Sequence, residues 1–174
     1  GERIDHGDHF HEGGIDPHLW MSPKVMLEIL PAIKQTLMEV YPHLSETIEN
    51  NYSVLKSDVE LVHSELQDVV SGLRIRSFMI FHPALTYLAR DYGLEQISIE
   101  YEGKEPSPGQ LSHIIRKARN ENISVIFVQE EYDVRNAQLV AEETGAEVVQ
   151  INPLAYDWMS EMRNLANAFN TYLK

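Results

Sequence analysis

The chain contains no cysteine, which removes disulfides, thiolate metal sites and cysteine nucleophiles together. Basic residues are scarce: 14 Lys and Arg stand against 27 Asp and Glu, a formal net charge of −13. No basic stripe is available to neutralise phosphates, so a nucleic-acid partner is excluded and docking on anionic lipid headgroups is disfavoured. No apolar run approaches the roughly 18 residues a membrane-crossing helix needs, and no span is expected. An initiator Met is also missing, and a chain opening G-E-R-I-D-H reads as a processed or cut piece. Neither an H-E-x-x-H helix nor a G-x-S-x-G elbow is present, which removes the commonest metallohydrolase and serine-hydrolase signatures. What remains is ordinary: 43% hydrophobic and 24% charged residues over 174 positions describe a folded domain, or one and a fraction.

Histidine is where the sequence departs from the ordinary. Residues 5–20 read D-H-G-D-H-F-H-E-G-G-I-D-P-H-L-W and hold four of the eight histidines, His6, His9, His11 and His18. Asp5, Asp8, Glu12 and Asp16 stand among them. Imidazole and carboxylate at this density are what a borderline-soft divalent cation binds, zinc first among them. A solvated acidic loop or a purification tag is the plainer explanation, but a tag repeats one residue and this segment does not.

After the loop, Ser22-Pro23 reads as a helix cap and first helical residue. Met26, Ile29, Leu30, Ile33, Leu37 and Val40 follow with helical period up to Tyr41-Pro42, and Pro31 is expected to kink the helix. A second helix over about 45–71 carries Ile48, Tyr52, Leu55, Val59, Val62, Leu66, Val69 and Leu73 in alternating steps of four and three. That is a coiled-coil-like seam on a rod of roughly 40 Å. Beyond Arg74 strands and helices alternate: strands are expected at 77–81, 95–101, 124–128 and 147–151. Helices follow each, the third-strand unit preceded by a Ser107 cap and the last helix running from about Met159 to Tyr172. The expected fold is α/β, a four-stranded mostly parallel sheet with helices on both faces, preceded by a long connector helix. In such sheets ligands sit at the carboxyl ends of strands where the strand order reverses. His82 in F-H-P, Gln129 in Q-E-E and Asn152 in N-P-L occupy such ends. A lone histidine before proline serves equally well as a helix cap; the histidine-rich loop upstream favours a ligand. Gln129 is read as a structural polar residue, and His43, His63 and His113 as surface residues on helices.

The motifs D-P-H-L-W-M-S-P, F-H-P-A-L-T-Y-L-A-R-D-Y-G-L and I-N-P-L-A-Y occur in that order, with E-P-S-P-G-Q-L, I-F-V-Q-E and Y-D-W-M-S-E-M-R-N-L-A between and after them. In this the chain resembles the cluster 9 metal-binding receptors of bacterial ABC transporters for zinc and manganese. The resemblance implies two α/β lobes joined by one long helix, with the metal between them. It divides the chain into a His-rich acidic loop and first-lobe end (1–20), a first-lobe helix (21–44), the interlobe helix (45–73) and the second lobe (74–174). Most of the first lobe would then lie outside this sequence, making it a carboxy-terminal fragment. By motif, His18 corresponds to a ligand contributed from the first-lobe side and His82 to the ligand at the first strand end of the second lobe. Manganese-type members resemble glutamate at the second position, so His82 favours zinc. Asn152 stands where many members carry aspartate; its neutral amide is a poor zinc donor, which leaves water or a loop histidine as alternatives. His6, His9 and His11, with Asp5 and Asp8, resemble an accessory zinc-gathering loop.

The implied function is capture of Zn²⁺, as transported ligand, and its delivery to an ABC permease from a periplasmic or extracytoplasmic, in some members lipid-anchored, position. No enzymatic activity is expected. Receptors for manganese or iron are the near alternative; a metal-dependent adhesin or a zinc hydrolase using Glu130 or Glu131 as base are the distant ones. The Ile29, Ile33 and Leu37 face is expected to be exposed in the fragment and to favour self-association.

Overall fold

Gly72 marks the place where the chain changes character, from helix alone to alternating strand and helix. The computed structural model describes residues 16–100 and 104–174. It opens with a 3-10 turn, Leu19–Met21, and helix α1, Pro23–Val40. A second such turn, Pro42–Leu44, leads into the 27-residue α2, Ser45–Ser71. Then follow β1 Ser77–Ile80, α3 Thr86–Tyr92, β2 Glu95–Ser98 and α4 Pro108–Asn120. The chain closes with β3 Val125–Gln129, α5 Arg135–Thr144, β4 Glu147–Ile151 and α6 Trp158–Tyr172.

Local chemistry explains most boundaries. Ser22 caps α1 by accepting from the Val25 amide, with Pro23 at the first helical position where its missing N–H costs nothing. Pro31 lies inside an unbroken helix on its exposed side. Ser107 and Gln110 form a reciprocal capping box at α4. Asp157 accepts from the Ser160 amide, so α6 starts one residue before the expected Met159. Gly93 (φ 65°) and Gly145 (φ 78°) end α3 and α5 in the left-handed conformation that favours glycine. The expected second strand, 95–101, is shorter: β2 ends at Ser98, although the Ile99 and Glu100 amides still donate to Ile80 and Phe81. Residue 101 lies outside the described residues.

All strand pairs are parallel, in the order β2-β1-β3-β4. The order reverses between β1 and β3, because α3 leads outward to β2 and α4 returns across to β3. Helices cover both faces. On one, Phe78, Ile80, Val125 and Phe127 pack with Val62 and Leu66 of α2, Leu88 of α3 and Leu165 and Phe169 of α6. On the other, Met79, Ile97, Ile126 and Val128 meet Ala118 of α4 and Ala137 and Val140 of α5.

Helix α2 keeps its expected bounds but not its expected seam. Its buried residues are Val59, Val62, Leu66 and Val70, with Leu73 beyond the end, while Leu55 is exposed and Val69 only half-buried. A strict heptad seam needs a supercoiled partner; a helix lying on a globular core drifts at 3.6 residues per turn, which moves the inward stripe from 69 to 70. Toward its amino end α2 packs on α1, joined by Lys34 to Glu49 (3.0 Å) and by the Lys34 ammonium over the Tyr52 ring (4.4 Å). This hairpin leaves Ile33, Leu37, Val40 and Leu44 exposed, with Ile29 half-buried.

Phe78, Phe127 and Phe169 meet with ring centres 5.5 to 5.6 Å apart, all fully buried, and lock α6 to the sheet. Phe169→Ala should therefore destabilise the chain by about 3–5 kcal/mol, read as a lower urea midpoint at unchanged slope. A loss below about 1 kcal/mol would mean that α6 does not depend on this cluster.

Candidate metal centre

The reversal of strand order leaves an opening at the carboxyl ends of β1 and β3, and His82 stands at its edge, two residues past β1. Its backbone is held from β3: Gln129 Nε2 donates to the His82 carbonyl (2.6 Å), and the His82 amide donates to Gln129 Oε1 (3.4 Å). Gln129 is fully buried, and spending both ends of its amide on one residue is the structural role anticipated for it. The ring is fixed separately. His82 Nδ1 lies 2.8 Å from Glu100 Oε1, at the continuation of β2, and Tyr132 stacks on it at 5.4 Å and 18°.

His18 reaches the same place from the other end of the sequence. Asp16 is fully buried, its carbonyl accepting from the Tyr87 hydroxyl of α3 (2.8 Å). Its Oδ1 lies 2.7 Å from His18 Nδ1 and accepts from the His18 amide at 2.9 Å. Ser22, six residues on, donates to Asp91 Oδ2. The two imidazoles meet edge to face, 5.3 Å between ring centres and 73° between planes.

The carboxylates decide what the rings can do. Burial pushes the Asp16 carboxyl up. Hydrogen bonds from the His18 side chain, the His18 amide and the Thr86 side chain more than offset this, and it ends below its ordinary 3.8. An ionised carboxylate only accepts, so His18 Nδ1 carries a proton, and in a neutral imidazole that puts the free lone pair on Nε2. Glu100 has the same geometric relation to His82, its Oε1 2.8 Å from Nδ1. Among the described residues no group bonds either Nε2. A carboxyl group behind each imidazole is the arrangement that orients metal-ligating histidines. Two imidazoles bound to one tetrahedral ion at about 2.1 Å would have ring centres roughly 5 Å apart, close to the spacing here.

Other candidates are placed differently. The Asn152 side chain is committed on both ends: Nδ2 donates to Glu130 Oε2 (3.0 Å) and Oδ1 accepts from the Leu154 amide (3.0 Å), an Asx turn leaving β4. His43 and His113 are exposed, as expected. His63 is not a plain surface residue: it is half-buried, with Nδ1 2.7 Å from the Tyr92 hydroxyl, because α2 lies against α3 at that point. His6, His9, His11, Asp5 and Asp8 lie outside the described residues. Among the described residues no three imidazoles or carboxylates are placed to hold one metal ion; the centre built here is a pair of imidazoles. Sequence reasoning singled out neither Asp16 nor Glu100 nor Tyr132 as part of it. Asp16 was visible only as one acid among several in the histidine-rich segment, and Glu100 only as a charge at the end of an apolar strand.

Fold and pair together give a parallel α/β unit with two imidazoles side by side where the strand order reverses. Over residues 2–172 the chain matches the family of the zinc-uptake complex component A, periplasmic (ZnuA), and it belongs to that family. It is 30% identical over 152 residues to the zinc-binding lipoprotein AdcA of Streptococcus pneumoniae, which covers 86% of this chain and 30% of AdcA. A crystal structure of ZnuA superposes with a TM-score of 0.86 at 34% identity, covering 90% of this chain and 62% of that one. The laminin-binding protein Lmb of Streptococcus agalactiae, described as a bifunctional protein with adhesin and metal-transporting activity, gives 0.83 at 26% identity, covering 91% and 64%. The chain thus spans under a third of the length of that AdcA relative and under two thirds of these structures.

Because Asp16 ionises more readily in the folded chain than at its ordinary 3.8, its contribution to stability is complete above that value and is lost as pH falls through the lower folded value. Asp16→Asn should therefore flatten the fall in urea midpoint between about pH 5 and about pH 3. Identical acid limbs in variant and parent would contradict it.

Proposed function

We propose that this chain carries the zinc-holding portion of an extracytoplasmic receptor that binds Zn²⁺ as cargo and passes it to an ABC permease, with no chemical step. The observation that carries the proposal is the pairing of His18 and His82, sixty-four residues apart in sequence, with ring centres 5.3 Å apart and a carboxyl group behind each. In this reading Nε2 of each histidine donates to the ion, and Asp16 and Glu100 orient the rings and balance part of the charge. The remaining coordination positions fall to donors outside the described residues or to water. Histidine at position 82 favours zinc over manganese, since imidazole suits the former and carboxylate oxygen the latter. Helix α2 acts as the connector to a further lobe, and residues 74–174 form the lobe that contributes His82. The segment with His6, His9, His11, Asp5 and Asp8 gathers zinc by weak, exchangeable coordination; its assignment rests on sequence alone.

Calorimetry with Zn²⁺ tests the pair. His18→Ala and His82→Ala should each weaken binding by more than the roughly 10–100-fold that loss of an orienting partner costs, and the double variant should retain only loop binding. Zinc affinity unchanged in the double variant overturns the assignment. A parallel titration with Mn²⁺ should give the weaker isotherm; tighter manganese binding would reverse the preference.

A further inference from the structure

The outer torsion of a histidine side chain is broad, so its ring plane is set by its neighbours rather than by the chain. For His82, Gln129 holds the backbone and Glu100 holds Nδ1. One hydrogen bond to the ring still leaves the plane free to rock about that point. Tyr132 takes up this freedom. Its ring lies on the face of the imidazole, 5.4 Å between centres and 18° between planes, an offset stack. Tyr132 is itself backed. Phe81, buried in the residue after β1, lies against it at 5.2 Å and 47°. The Tyr132 amide donates to the Gln129 carbonyl at 3.0 Å, which closes a turn after β3. The side chain is half-buried on the core that α4 and α5 cover.

Each of these grips comes from β1, β2 or β3, or from the residues that follow them, and none from residues 16–22. His18 is placed by contacts of another kind. Its ring lies against Trp20 at 5.4 Å. The Trp20 indole N–H donates to the Pro153 carbonyl (2.9 Å), and the Trp20 carbonyl accepts from the Trp158 indole N–H (2.8 Å). Residues 133 and 138 positions apart meet there, as the two sides of an interface would.

We infer that Tyr132 is a positioning residue for zinc binding: its ring fixes the plane of the His82 imidazole, and with it the direction in which Nε2 meets the ion. The inference deepens the receptor reading above and rests on it for the identity of the ion. A metal–nitrogen bond lies in the plane of the imidazole, so whatever sets the plane sets the bond. The ring face of Tyr132 does this, not its hydroxyl, which makes no hydrogen bond among the described residues. Brace and ligand belong to one sheet, so His82 keeps its aim whether or not residues 16–22 stand beside it. The ring has then lost its freedom before the ion arrives, and binding does not have to order it.

The test uses the full 174-residue chain, labelled at histidine and tyrosine. Under excess chelator, cross-relaxation between the His82 and Tyr132 ring protons should be present. Tyr132→Leu, which keeps an apolar side chain and removes the ring, should raise the zinc Kd about threefold to tenfold, the factor a stacked aromatic pair is worth. It should also shift the absorption bands of bound Co²⁺. Tyr132→Phe, which keeps the ring, should leave both as in the parent. Absence of the ring-to-ring signal in the metal-free parent overturns the brace, and needs no variant to fold. Parent-like affinity and cobalt spectrum in Tyr132→Leu overturn the positioning role. Equal losses in Tyr132→Leu and Tyr132→Phe would assign the effect to the hydroxyl and overturn it too. A parent chain that binds zinc without the ring signal sinks this inference alone. One that shows the signal and binds no zinc sinks the receptor reading, and the zinc role of Tyr132 with it.

Discussion

Two neighbouring parallel strands whose crossovers leave in opposite directions cannot both be covered at their carboxyl ends, and the whole centre grows from that one gap. Helix α3 departs from β1 toward β2, and α5 departs from β3 toward β4, so neither closes the space between β1 and β3. Buried polar groups lining such a gap need partners, and Gln129 finds its own by fixing a histidine. Gln129, at the end of β3, could not remain buried without partners for both ends of its amide; the two backbone groups of His82 supply them. Glu100, arriving on the far side of β1, then takes the imidazole. The sheet therefore presents one side chain whose position is set by three strands at once.

The second histidine is recruited by a different logic. No strand delivers His18; a turn does, pinned by a buried carboxylate and by aromatic side chains from distant elements. Pairing a scaffold-held ligand with a turn-held one brings two nitrogens together without a helix or hairpin to space them.

Legibility in the sequence followed the range of the forces involved. Helix caps and strand–helix alternation are local, and α1, α2, α4 and β4 stood within a residue of their expected bounds, because Ser22, Ser107 and Gly72 act on their own neighbours. His18 and His82 were visible as residue types in telling contexts, one beside other histidines and one at a strand end. Their carboxyl partners were harder. Asp16 looked like one more acid in an acidic segment, and nothing local separates an acid in solvent from one buried by Tyr87 and Thr86. Glu100 depended on which strand lies beside β1, and the sheet order is a property of the assembled chain. The seam of α2 failed in an instructive way: a heptad count presumes one partner helix along its whole length, and α2 lies on α1 toward its amino end and on the sheet and α6 beyond it. His63 was misjudged for a related reason, since its neighbour Tyr92 is brought there only when α3 docks.

The chain has two tryptophans, and both stand at the junction between the His18 turn and α6. Its ultraviolet emission is thus dominated by two indoles, one against the His18 ring and the other bonded to the first one's carbonyl, with the eight tyrosines weaker emitters. One ring lies against an imidazole, and both indole N–H groups are held by carbonyls. The protein therefore carries its own optical reporter: changes in the state of the pair are carried to the surroundings of the only strong emitters it possesses.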